Sequence, residues 1–252
     1  MITLSKKHLS IPTPGGNVPA LLIADQAATS FKGTILICHR FGESKEMHHE
    51  LYYQEQVLLT QAGFLLVIVD APHHGERRDD TFDSLFPRIP EDAFRYFELL
   101  YQMIQEIPCI LDHIEGWGHG NIGILGHSMG GFTAIGAIPY DERIKAVVTV
   151  VGSGVWNIPL QTPEVQQLLK KSPTAMPEKF FPCALLMTNA SLDRTVPIAP
   201  VRAFVECLRP SYASAPERFC FIEYADCGHA FNTTVWKDFQ PRLCAWFERY
   251  LV

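Results

Sequence analysis

The stretch Ile122–Gly131, IGILGHSMGG, runs from an apolar segment into a glycine-rich turn and decides how the rest of the chain is read. Ile122-Gly123-Ile124-Leu125 shows no polar alternation, as expected of a strand covered on both faces. Met129-Gly130-Gly131-Phe132-Thr133-Ala134-Ile135 reads as a helix whose small residues let it approach that strand closely. Ser128 would then stand on a sharp turn between strand and helix, with its hydroxyl exposed beside a helix N-terminus, where backbone N–H groups can stabilise developing negative charge. The G-x-S-x-G spacing alone is weak evidence, because glycine and serine are common. The strand before it and the helix after it make Ser128 a candidate nucleophile rather than an idle glycine turn.

Working outward, comparable apolar runs occur at Thr34–Cys38, Leu65–Val69, Ala146–Val151 and Cys183–Met187, with a further strand-like segment at Phe219–Tyr224. Between them lie stretches with helical spacing. Ser44 is placed to cap a helix that buries Met47, Leu51 and Leu58. Phe94, Phe97, Tyr101, Ile104 and Ile107 recur at helical intervals until Pro108 interrupts them. Trp236, Phe239, Leu243, Trp246 and Tyr250 do the same near the C-terminus. Ile2–Leu9 and Val18–Ile23, separated by Pro12-Thr13-Pro14-Gly15-Gly16, read as an antiparallel opening hairpin. The alternation that follows predicts an α/β fold: a doubly wound, mostly parallel, eight-stranded sheet. Residues 152–182 break the rhythm with Trp156, Pro159, Pro163, Pro173 and Pro177, and are expected to form a small cap insertion on a single domain spanning 1–252.

Composition narrows the function. Over 252 residues, 47% hydrophobic and 19% charged content is that of a compact folded protein rather than a disordered one. A net charge of -6, with no basic stripe, argues against nucleic acid as a partner. No apolar run approaches the ~20 residues needed to span a bilayer, and the N-terminus lacks the order of a signal peptide, so a cytoplasmic protein without membrane association is expected. Seven scattered cysteines read as reduced core thiols. No metal site is expected: Cys220, Cys227 and His229 lack zinc-type spacing, and His73 and His74, being adjacent, should diverge and serve their turn. An uncapped edge strand could pair two chains as a homodimer.

A serine nucleophile needs a base and an orienting acid, both placed where loops leave the carboxyl ends of strands. Asp193 follows the run Cys183–Met187, and His229 follows Phe219–Tyr224. Asp226, three residues before His229, is the competing acid, and Asp193 could also cap the helix near Pro197. Among other histidines, His127 should point away from the Ser128 hydroxyl, His119 lies at the wrong end of its strand, and His48 with His49 looks like an exposed helix face.

With these residues in view, the sequence resembles the α/β-hydrolase superfamily, in particular small esterases related to the dienelactone hydrolase and prolyl oligopeptidase groups. The resemblance covers nearly the whole chain. It rests on Gly126–Gly130, on His39-Arg40-Phe41-Gly42, on the D-x-x-x-H-G turn beginning at Asp70, and on Asp193 with Val196-Pro197 and Gly228-His229. It implies a catalytic triad of Ser128, Asp193 and His229, an oxyanion hole formed by the amides of Phe41 and Met129, no cofactor, and a small-molecule ester or thioester as substrate. Arg40 stands where the usual loop has a glycine, and could instead attract an anionic substrate group. Trp156 and Phe231, with Phe41, are expected to line the pocket. The same triad could serve a peptidase, and the scaffold could serve a binding protein without catalysis.

Overall fold

The computed structural model describes residues 3–85 and 90–251. The chain opens with β1 (Leu4–Thr13) and β2 (Gly16–Asp25), paired antiparallel through a tight turn in which Gly16 has a φ of 107°. Both strands run further into the Pro12–Gly16 region than the sequence suggests; Ile2 lies outside the described residues. There follow β3 (Gly33–Cys38), α1 (Lys45–Leu51), α2 (Tyr53–Gln61), β4 (Phe64–Val69), α3 (Pro90–Ile114), β5 (Ile122–His127), α4 (Met129–Ala137) and β6 (Ile144–Val150). The chain closes with α5 (Pro163–Leu169), β7 (Ala184–Ala190), α6 (Ile198–Leu208), β8 (Phe219–Tyr224) and α7 (Thr233–Tyr250).

The strands form one eight-stranded sheet in the order β1-β2-β4-β3-β5-β6-β7-β8. β2 meets β4 antiparallel, and every pairing from β4 to β8 is parallel. The apolar runs lack alternation because successive side chains feed two different cores. Leu36, Val147 and Leu185 join one core with α3, α4, α5 and α6. Their neighbours Ile35, Val148 and Leu186 join the other with α2 and α7. Among the described residues no helix is long and apolar enough to cross a membrane.

Two helices depart from the expected pattern. Pro108 does not end α3, which continues to Ile114. Proline removes one N–H donor, but Ile110, Leu111 and Ile114 beyond it are all buried and hold the helix to the sheet. The α1–α2 pair is capped at Ser44 as expected, its side chain accepting from the Met47 N–H at 3.2 Å, yet it turns the other way about its axis. Met47 and Leu51 are exposed, while Lys45, His48, Glu55 and Gln56 are buried. Partners explain the inversion at Lys45: its Nζ donates to Asp70 Oδ2 at 2.9 Å and Glu76 Oε1 at 2.5 Å, and its N–H to Asp70 Oδ1 at 2.8 Å.

Candidate active site

Ser128 is the single residue between β5 and α4, with φ 52° and ψ −111°. This conformation is costly for a residue with a side chain and persists only where its surroundings enforce it. Here they do. The Ser128 N–H donates to Val150 O (2.8 Å), and Gly130 N–H donates to His39 O (3.0 Å). A Cβ on Gly126 would fall on the backbone of Gly130, and one on Gly130 would fall on the carbonyl of Cys38 at the end of β3. The bend closes only with glycine at both places.

Asp193 and His229 come from the loops after β7 and β8, which are tied together by the Leu192 N–H donating to Cys227 O at 2.9 Å. Asp193 is held through both oxygens: Oδ1 accepts the N–H groups of Thr195 (2.8 Å) and Val196 (2.9 Å), and Oδ2 accepts His229 Nδ1–H at 2.8 Å. Its carboxylate is fully enclosed while the imidazole keeps 19% exposure. Because Nδ1 donates to the carboxylate, Nε2 is left as an acceptor, and it lies 2.8 Å from Ser128 Oγ. The structure thus brings together all three residues expected of a triad. Asp226, the competing acid, is exposed, and it is Asp193 that His229 Nδ1 meets.

In the His39–Gly42 loop the left-handed position is Gly42 (φ 82°), so Arg40 carries no unusual backbone conformation. The loop is pinned by His39, whose Nδ1–H donates to Arg40 O (2.7 Å) while Nε2 accepts the Ala71 N–H (3.1 Å). Burial holds the His39 imidazole below its ordinary pKa, in keeping with a neutral ring serving as donor and acceptor at once. Phe41, from this loop, lines the same cavity as Ser128. Met129, as first residue of α4, presents an N–H that has no partner four residues back within its own helix.

A cavity of about 280 Å³ opens at Ser128. Phe41, Tyr96, Phe97, Phe132, Val155 and Val196 form much of its wall, and no described residue lining it is charged. Three residues expected at the pocket lie elsewhere. Trp156 is buried behind the wall, stacked on Phe97 with ring centroids 5.7 Å apart. Phe231 belongs to the core on the other face of the sheet, against Trp236 and Phe239. Arg40 turns away and donates from Nη1 to Tyr52 Oη at 3.2 Å. From residues 152–182 it is Ser153, Val155 and Asn157 that reach the cavity. Sequence reasoning missed the first turns of α3, which supply Ala93, Tyr96 and Phe97; the aromatic stripe that revealed this helix also marked the wall, but a stripe does not show which turn is core and which is pocket.

A sheet of this order, carrying a strained serine between its fifth strand and the next helix within reach of a buried Asp–His pair, defines an α/β hydrolase of the serine type. The chain belongs to the family described as "Serine aminopeptidase, S33", which matches residues 29–197. It is 31% identical over 241 residues to a Bacillus subtilis protein named "Putative esterase YitV", spanning 86% of this chain and 89% of that one. Among solved structures it is similar to TT1662 of Thermus thermophilus (TM-score 0.81, 23% identity, 99% of this chain and 98% of that one). It is also similar to a protein from Klebsiella pneumoniae subsp. pneumoniae titled "Putative Dienelactone Hydrolase" (TM-score 0.71, 20% identity, 98% and 100%).

Proposed function

We propose that this serine hydrolase is a carboxylesterase that cleaves small, uncharged acyl esters or thioesters through an acyl-enzyme on Ser128. The observation carrying this reading is the unbroken Ser128–His229–Asp193 relay, with 2.8 Å at each link, at the floor of an apolar cavity. His229 Nε2 takes the Ser128 proton as Oγ attacks the carbonyl, and Asp193 holds the ring in that tautomer and stabilises the imidazolium. The amides of Met129 and Phe41 receive the oxyanion. His229 then protonates the leaving alcohol, and a water activated by the same imidazole releases the acid. The reaction needs no cofactor.

Cavity size and lining support the substrate class. At about 280 Å³ the space lies at the lower end for ligand pockets, suited to a short acyl chain. An aminopeptidase would require a carboxylate at the pocket to hold the substrate's α-ammonium group, and none of the described lining residues is acidic. Residues 152–157 together with the first turns of α3 act as the cap. The test is fluorophosphonate labelling of wild type and Ser128→Ala, followed by p-nitrophenyl esters of increasing acyl length. Ser128-dependent labelling with a preference for short chains is expected; labelling that survives the substitution, or cleavage of aminoacyl anilides in preference to esters, would overturn the reading.

A further inference from the structure

Behind Ser128, on the side of the sheet end away from the cavity, lies a second group of polar side chains that the proposed hydrolysis does not use. His48 on α1, Glu55 on α2 and His127 at the end of β5 are each at least 99% buried. One ligating atom of each lies within 4.8 Å of those of the other two. None of the three lines the cavity over Ser128.

Their hydrogen bonding is incomplete in a particular way. His48 Nδ1–H donates to Glu43 Oε2 at 3.3 Å, and this fixes the tautomer so that Nε2 carries a lone pair; that Nε2 has no hydrogen-bond partner. Neither Glu55 oxygen has one, nor does either His127 nitrogen. Glu55 Oε2 approaches His127 Nε2 to 3.3 Å, but not along a hydrogen-bonding direction. A carboxylate and two imidazoles left in this state inside a protein are expensive unless something joins them.

A 3.3 Å separation has a simple meaning if a cation sits between the atoms. With zinc–nitrogen and zinc–oxygen bonds of about 2.0–2.1 Å and a tetrahedral angle, two ligand atoms stand ~3.3–3.4 Å apart. A carboxylate behind a ligating histidine, as Glu43 is behind His48, is the usual outer support that orients the ring. Glu43 and Glu55 together offset the charge of a divalent ion. A cavity of about 70 Å³ lined by Arg40, Tyr52, His127 and His229 leaves room for a fourth ligand beside His127, while Glu55 borders the surface depression at Tyr53 and Trp236, giving an entry path.

We infer that His48, Glu55 and His127 form a binding site for a divalent transition-metal ion of the zinc class, which ties the α1–α2 helix pair to the strand end carrying Ser128. The ion does not meet the substrate; its role is to brace. Two histidines and one carboxylate favour zinc, cobalt or nickel over magnesium or calcium, which prefer all-oxygen shells.

The test uses the full chain after chelator treatment. Titration with Co²⁺ should give the intense visible absorption of a four-coordinate nitrogen–oxygen site, saturating at one equivalent and displaced by Zn²⁺. Saturating Zn²⁺ should raise the Tm by roughly 5 °C or more, as expected of a ligand that binds only the folded state. His48→Asn and Glu55→Gln should lose both responses. His8→Ala should keep them, because His8, Glu46 and Glu76 form a second, surface group that could hold an ion. The proposal is overturned if wild type gives no four-coordinate cobalt spectrum, which requires no variant to fold. It is equally overturned if Glu55→Gln keeps the zinc shift, or if only His8→Ala abolishes it, leaving at His127 an ion pair with Glu55 and nothing more.

Discussion

The two sides of the strand end at His127 and Ser128 differ in nearly every respect although they begin at adjacent residues. On the Ser128 side the surroundings are aromatic, uncharged and open, with Phe41, Tyr96, Phe97 and Phe132 around a cavity. On the His127 side they are polar and tightly packed, with Glu43, His48 on α1 and Glu55 on α2 buried against the strand end. His127 is the last residue of β5 and Ser128 the turn residue after it, so a single step along the chain separates the packed polar group from the cavity wall. His229 borders both sides, bonded to Ser128 on one and lining the small cavity beside His127 on the other, so chemistry on one side can depend on rigidity supplied from the other.

Four experiments probe that contrast, beginning with the largest effect. Ser128→Ala should lower kcat/KM for a short p-nitrophenyl ester by about 10⁴-fold or more, because the remaining groups cannot act without the nucleophile. Its thermal melt should stay at or above that of wild type. A variant with retained activity would place the chemistry elsewhere.

Phe97→Ala removes a wall residue that also stacks on Trp156 and contacts Phe132 at 6.1 Å between ring centroids. The loss should be about 3–5 kcal/mol of stability, read by denaturant unfolding, and the preferred acyl length should move to longer esters. Unchanged chain-length selectivity would show that Phe97 does not bound the acyl site.

His74 packs against the His39–Gly42 loop, edge-on to Phe41 and 5.5 Å from His39 between ring centroids. Burial lowers its pKa to about 4, opposed by the hydrogen bond to Pro72 O and by Asp70, with the neighbouring His39 and His73 acting in the same sense as burial. A histidine depressed in the folded state leaves stability whole above its ordinary value near 6.5 and removes it as pH falls towards 4. The loss should reach about 3 kcal/mol, and His74→Asn should flatten the dependence of Tm on pH across that window. An equal slope in the variant would assign the acid sensitivity to other groups.

Arg40→Ala should be the mildest. Its guanidinium points to Tyr52 rather than into the cavity, so kcat/KM for neutral esters should change by less than about threefold. A large increase in KM for an anionic ester alone would return Arg40 to the substrate side.

Much of the architecture is legible because buried strands write themselves as unbroken apolar runs: Thr34–Cys38 and Leu65–Val69 each fall one residue short of the fully buried β3 and β4. Ser128, Asp193 and His229 could be found by their order along the chain and their positions after strands, which are local properties. The α1–α2 pair was misread for the opposite reason. Its apolar residues Met47 and Leu51 face solvent, while Lys45 and Glu55 face inward because their partners Asp70, Glu76 and His127 lie on distant segments, and His48 turns inward with them. A burial pattern set by pairing across the fold leaves no periodicity to read. Trp156 and Phe231 were misplaced by the same limit: an aromatic near the site in sequence can equally support the wall or belong to the opposite core.

The positive φ at Ser128 carries an evolutionary tension. Glycine is the residue that tolerates this backbone, and a side chain there costs on the order of 1–3 kcal/mol. Replacing the serine with glycine would ease the turn and strengthen the fold while abolishing its activity, so drift towards greater robustness and selection for turnover pull this one position in opposite directions.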